Sequence, residues 1–300
     1  MKWEGRERSS NVEDRRGVSP GMAAGGGGLG LIILAILYMV FGGKNPQQFL
    51  DQIQDQQPAA ARQQAPPEDD EMNEFISVVL KDTENVWTKL FKQEGIGDYS
   101  EPRLVRFSDS VSTGGCGTAS KEVGPFYCPA DQQIYIDTSF FDQLAGRHRA
   151  PGDFAQAYVI AHEVAHHVQV LIGYSQKVNE LRMRDKEAGR QATVRLELQA
   201  DYLAGVWAHH VQKDYAVLEE GDIGEALQAA NQIGDDTLMK ESMGYAIPSR
   251  YTHGTSQQRV YWFTQGLKSG EFEGCKALFE LDYDDLNDLS VVCLKKTSSV

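Results

Sequence analysis

The sequence predicts an α+β domain dominated by helices, with a small sheet and one apolar helix ahead of it. Three observations carry that expectation. Apolar residues recur at helical spacing over most of the chain beyond residue 139, short β-branched runs lie between Gly- and Pro-bearing turns around 104–107 and 133–137, and residues 17–43 hold no charged side chain. The 300 residues suffice to bury a sizeable core. With 29 basic against 43 acidic side chains the formal charge is −14, so no nucleic-acid partner is expected.

Residues 1–20 read as an N-terminal tail carrying Lys2, Arg6, Arg8, Arg15 and Arg16. The stretch 29–41 (LGLIILAILYMVF) is strongly apolar but short of the roughly 20 residues that span a bilayer. Its small uncharged flanks extend it, and residues 21–43 read as a transmembrane helix. A buried core helix and a cleavable signal peptide are the alternatives. The first lacks packing partners on either side, and no A-x-A-like site follows Phe41. Cations concentrated ahead of the helix place the N-terminus in the cytoplasm and the rest of the chain outside it. Residues 44–70, rich in Gln, Ala and Pro, form a linker that cannot offset its ordering entropy by burial.

The folded domain then covers 71–300. Phe75, Val78, Val79 and Val86 keep helical spacing up to Phe91, and Gly95 and Gly97 end that helix. After the strands come helices at 140–147, 153–172, 178–212, 223–234 and 256–268. Four cysteines without C-x-x-C spacing, on the far side of a membrane, favour disulfides, and local pairing gives Cys116–Cys128 and Cys275–Cys293. Four buried thiols are the alternative.

The chemistry concentrates in Ala161-His162-Glu163-Val164-Ala165-His166, an H-E-x-x-H without Pro or Gly. On a helix His162 and His166 stand one turn apart on one face, about 5–6 Å between Cβ atoms, so both imidazoles can bind one Zn²⁺. Glu163 beside them reaches a water activated by the metal, the position of a general base. His167 points about 100° away and reads as an outer or surface residue. Downstream, Glu197 and Asp201 share a helix face amid Leu, Ala and Val. Two carboxylates there are costly to bury without a cation. Glu197 reads as the third ligand and Asp201 as the acceptor that orients a ligand histidine, with a surface ion pair to Arg195 as the alternative.

HEVAHHVQ, the later LELQADYLAGVWA, the preceding CGTASKEVGPFYCPADQQIYID and a glycine-rich stretch after NVEDRRG resemble the bacterial neutral zinc metallopeptidase family over nearly the whole chain. The resemblance implies a gluzincin-like domain of a bacterial inner-membrane protein. It also implies one Zn²⁺ per chain on His162, His166 and Glu197, with Glu163 as catalytic base and a protein or peptide as substrate.

Two weaker features remain. The strand at 133–137 reads as the upper edge of the cleft, where extended substrate pairs, or else as an ordinary half-buried strand. His253 lies in YTHGTSQQR and reads as a catalytic group that stabilises an oxyanion, or as a loop residue before a helix capped by Thr255 or Ser256. The expected function is a membrane-anchored zinc endopeptidase working outside the cytoplasm. A catalytically silent zinc-binding scaffold and a cell-wall amidase are the alternatives.

Overall fold

The computed structural model describes residues 1–17, 70–146, 150 and 152–287. The expected transmembrane helix (21–43), nearly all of the linker and Cys293 lie outside these residues. Among the described residues, no helix is long and apolar enough to cross a membrane.

Helix α1 (Glu71–Gln93) starts where Asp70 accepts a 2.5 Å hydrogen bond from the Asn73 N–H, and Glu71 and Glu74 complement its positive end. Its apolar stripe, including Phe75, Val79, Trp87 and Phe91, is buried in the main core. The sheet strands are β1 (Val12–Asp14), β2 (Arg103–Phe107), β3 (Ser110–Ser112), β4 (Thr118–Ser120), β5 (Phe126–Cys128) and β6 (Gln133–Asp137). Four of them form one sheet in the order β1-β2-β6-β5, parallel except for β5, while β3 and β4 make a separate hairpin. Alternation along β2 and β6 sends Leu104, Ile134 and Ile136 to the main core, and Val105, Phe107 and Tyr135 to a smaller cluster on the other face.

The N-terminal residues depart from expectation. They are part of the domain, not a separate tail: Val12, Glu13 and Asp14 pair in register with Leu104, Val105 and Arg106. The strand is only three residues long and carries two carboxylates, so it shows no apolar alternation to read.

Helices fill the rest: α2 (Ser139–Gly146), α3 (Asp153–Leu171), α4 (Tyr174–Arg184), α5 (Lys186–Tyr215), α6 (Asp222–Gln232), α7 (Asp235–Met243) and α8 (Ser256–Ser269). The stretch expected as one helix over 178–212 is two. Asp185 adopts an extended backbone and its carboxylate accepts from the Glu187 and Ala188 N–H groups, restarting the helix. The 30-residue α5 is the spine against which α3, α4 and α8 pack. Contact with α8 is unusually close. A Cβ on Gly205 would lie 2.1 Å from the Phe263 carbonyl oxygen, and one on Gly266 would lie 1.9 Å from that of Tyr202. The two glycines let the backbones touch, and α8 is fixed over the middle of α5. At its start, Thr255 and Gln258 form a reciprocal capping box.

Cys116 and Cys128 are joined, tying the loop after β3 to strand β5. Cys275 is a free thiol, fully buried in the main core, and Cys293, its expected partner, lies outside the described residues. In that setting it packs as a small hydrophobe.

Candidate metal centre

Helix α3 carries the H-E-x-x-H. Its buried residues include Val159, Ile160, Val164 and Val168, so the whole helix lies inside the domain, with His162 at 6% and Glu163 at 8% exposure. One turn apart, the rings of His162 and His166 meet edge to face with centroids 4.8 Å apart. Helix α5 brings Glu197 to them: its Oε2 lies 3.3 Å from His162 Nε2 and 3.5 Å from His166 Nε2. The three ligand atoms lie within 4.8 Å of one another.

Each imidazole is oriented from behind. His162 Nδ1 lies 2.9 Å from Asp201 Oδ1, and the carboxylate accepts the proton there, leaving the Nε2 lone pair for the pocket. His166 Nδ1 lies 2.8 Å from Gln169 Oε1. The Gln169 amide is itself fixed, because its Nε2 donates to the Leu196 carbonyl at 2.6 Å and to Gln199 Oε1 at 3.1 Å. With both Nδ1 protons held there, two Nε2 atoms and a carboxylate oxygen converge, and none of the three donates unless a proton sits between His162 Nε2 and Glu197. Such a set is repulsive until it shares a cation, and N₂O donors match the three-ligand zinc site of hydrolases.

Asp201 is completely buried and heavily bonded. Arg259, on α8, donates to it from Nε at 2.8 Å and from Nη2 at 3.0 Å, and Tyr158 donates its hydroxyl at 2.5 Å. Burial alone would raise the Asp201 pKa, but Arg259 and His162 hold it at about 2. Burial likewise lowers that of His162, yet Asp201 and Glu197 outweigh it and lift the imidazole to about 9. Glu197 is held well below the usual carboxylate range by the two histidines in spite of its burial. The pocket favours positive charge among these residues.

A cleft of about 520 Å³ opens over this group, lined by Glu163, His162, His166 and Glu197, by Phe126 and Tyr127 of β5, and by His253 from beyond α7. His253 donates from Nδ1 to Asp235 Oδ1 at 3.1 Å, while the other oxygen of Asp235 accepts the Thr252 and His253 N–H groups at 2.6 Å each. Burial lowers the His253 pKa, but the bond to Asp235 raises it above the usual histidine value. The loop and its catalytic candidate are thus held by one carboxylate at the start of α7.

The structure brings His162, Glu163, His166, Glu197 and His253 to one cleft and sets Asp201 behind it, against His162 Nδ1. It changes three other expectations. His167 is fully buried and faces away: its Nε2 donates to the Ser100 carbonyl at 2.6 Å and its Nδ1 accepts from the Tyr127 hydroxyl at 2.9 Å, linking α3 to strand β5. The strand at 133–137 is interior, because β5 pairs beyond it and forms the edge at the cleft. Arg195 does not pair with Glu197 or Asp201; it donates to the Leu278 carbonyl and lies over the Tyr283 ring. Arg259, Tyr158, Gln169 and Asp235 are the site residues that sequence reasoning missed. Gln169, one helical turn past His166 in the motif, is the one whose position signalled it.

Comparison with known proteins accords with this geometry. A family described as putative neutral zinc metallopeptidase matches residues 1–278. The Escherichia coli K12 "Uncharacterized protein YpfJ" is 45% identical over 285 residues, covering 92% of this chain and 98% of its own. The Mycobacterium bovis "Uncharacterized protein Mb2605" is 38% identical over 224 residues, covering 70% and 73%. No solved structure matches.

Proposed function

The chain belongs to the neutral zinc metallopeptidase family, and we propose that it is a zinc endopeptidase of the bacterial inner membrane with its cleft outside the cytoplasm. The observation that carries the reading is the convergence of His162 Nε2 and His166 Nε2 on one oxygen of Glu197, with both Nδ1 atoms engaged elsewhere. His162, His166 and Glu197 would hold one Zn²⁺ per chain. The ion supplies Lewis acidity, drawing electron density from a scissile carbonyl and acidifying water in the cleft.

The chain's own groups do the rest. Glu163 lines the cleft without entering the ligand triad, so it takes a proton from the attacking water and returns it to the leaving nitrogen. His253, positioned by Asp235, donates to the oxygen that gains negative charge. Asp201 holds His162 in the tautomer that offers Nε2, and Arg259 and Tyr158 hold Asp201. An extended peptide adds to the free edge of β5, since this three-residue strand has β6 on one side and the cleft on the other. The Cys116–Cys128 bridge supports an oxidising compartment, and the apolar stretch within 21–43 supports attachment to a membrane.

The test is digestion by the purified full chain of casein and, separately, of peptidoglycan, with and without phenanthroline. Metal-dependent cleavage of casein at internal peptide bonds is the expected result. Release of peptidoglycan fragments alone would make the protein a cell-wall amidase, and zinc binding without any hydrolysis would make it a scaffold.

A further inference from the structure

The strand at the edge of the cleft is short. β5 has three residues, and its neighbour in the sheet is β6 on one side alone. A strand paired on one side over so few residues has little of its own to resist fraying. Alternation turns Phe126 and Cys128 toward the smaller cluster and Tyr127 toward the main core, where α3 lies. On the first face Cys128 is bridged to Cys116. On the second, the Tyr127 hydroxyl donates to His167 Nδ1 at 2.9 Å, while His167 Nε2 donates to the Ser100 carbonyl at 2.6 Å.

His167 is fully buried, with the rings of Tyr99 and Tyr127 edge-on to it at centroid distances of 5.9 and 5.5 Å. An apolar side chain of that size would fill the same space without the cost of desolvating two ring nitrogens. What the imidazole adds is direction, because it accepts from one hydroxyl and donates to one carbonyl. It also follows His166 in the chain. The two side chains point about 100° apart around α3, so adjacent residues of one helical turn face the metal site and the strand. From a metal-site imidazole to the edge strand the path is one peptide unit and one hydrogen bond. Residues 121–127 all line the cleft, and this bond fixes the last of them.

We infer that His167 is a positioning residue: through the Tyr127 hydroxyl it sets the place of the β5 edge relative to His162, His166 and Glu197, and so the place of a peptide paired to that edge. His167 is not among the residues lining the cleft and acts only through Tyr127. The inference rests on the peptidase reading and deepens it. A substrate long enough to lie along β5 feels the tie, and one that spans little more than the scissile bond feels it less. What the tie supplies is affinity for extended peptides, not the rate of the chemical step.

The experiment measures kcat and KM for the full chain and for Tyr127→Phe, His167→Gln and His167→Asn, on a peptide of about ten residues and on a blocked dipeptide. Tyr127→Phe removes one oxygen atom. His167→Gln puts an amide N–H where Nε2 donates and loses the acceptor for Tyr127, whereas His167→Asn puts an amide oxygen where Nδ1 accepts and loses the donor to Ser100. In Tyr127→Phe and His167→Gln, KM for the longer peptide should rise about 2- to 10-fold, the worth of one hydrogen bond, while kcat changes by less than about twofold. KM for the dipeptide should rise less, and zinc content should hold. His167→Asn should keep a KM near that of the parent chain even where its urea midpoint falls, a separation of KM from stability that a merely structural role does not produce. Backbone amide exchange across 126–128 should quicken in Tyr127→Phe and His167→Gln and not in His167→Asn. An unchanged KM for the longer peptide in folded Tyr127→Phe and His167→Gln would overturn the inference, and so would a loss of zinc or of kcat that accounts for their lower activity. A parent chain that cleaves neither peptide would instead defeat the peptidase reading, and the exchange measurement alone would then decide whether His167 holds β5.

Discussion

Asp201 on α5 accepts the Nδ1 proton of His162 on α3 at 2.9 Å, and through that one bond the second helix decides which nitrogen the first helix offers to a metal. The relationship is supported from a third helix, since Arg259 grips the same carboxylate with two hydrogen bonds.

Asp201→Asn should lower zinc affinity by about 10–100-fold, the usual effect of losing a partner of this type. The single change also leaves Arg259 buried without its counter-charge, so the variant should unfold at lower urea. Adding Arg259→Met removes that charge and should recover folding without recovering zinc affinity. Competition titration with a chromophoric chelator reads the affinity. Wild-type zinc binding in both variants would contradict the role given to Asp201.

His253→Ala should reduce kcat by about 10²-fold, the range for removing one donor to a developing oxyanion. Asp235→Asn should produce a smaller loss of kcat, because the imidazole remains but loses its anchor. Zinc content should be unchanged in both, as neither residue belongs to the ligand triad. Full activity of His253→Ala in a peptide-cleavage assay would reduce His253 to a loop residue.

His210, near the end of α5 and away from the cleft, predicts an acid-sensitive contribution to stability. Burial lowers its pKa, more than its hydrogen bond to the Gly270 carbonyl at 2.9 Å raises it. A base with a depressed folded pKa contributes stability that is present above its unfolded value, near 6.5, and lost as pH falls through the folded value. His210→Gln keeps a donor but does not titrate. The stability advantage of wild type over this variant should therefore shrink as pH falls from about 7.5 to about 5.5. Urea midpoints measured in parallel would show it, and a gap that widens on acidification would contradict it.

Cys275 should resist alkylation in the native protein at mildly alkaline pH and react once the chain is unfolded, because burial pushes its thiol up to about 12. Non-reducing peptide mapping of the same sample should recover Cys116 linked to Cys128. Fast native labelling of Cys275 would contradict its place in the core.

The legible part of the site was the part encoded by local spacing. His162, Glu163 and His166 are read from a single helical turn, and Glu197 and Asp201 from two carboxylates one turn apart on an apolar face. Arg259 was not legible, because it lies 58 residues beyond Asp201 and reaches it through the close α5–α8 contact at Gly205 and Gly266. Those glycines read as gaps in a pattern until the opposing backbone is seen. Strand β5 escaped detection because three residues carry no usable alternation, so its neighbour at 133–137 was assigned its edge position. The place of the N-terminal residues in the sheet was not legible for a physical reason: an arginine paired in a fold and an arginine in a free tail look the same in a sequence.

The central claim is that His162, His166 and Glu197 hold zinc while Glu163 moves the proton. Zinc content and peptide-cleavage rate measured on the same preparations of wild type and Glu163→Gln test it most directly. The expected result is about one zinc per chain in both proteins, with cleavage lost in the variant and abolished in wild type by phenanthroline. Near-wild-type cleavage by Glu163→Gln, or a wild-type chain that digests peptides with no zinc bound, would contradict the account.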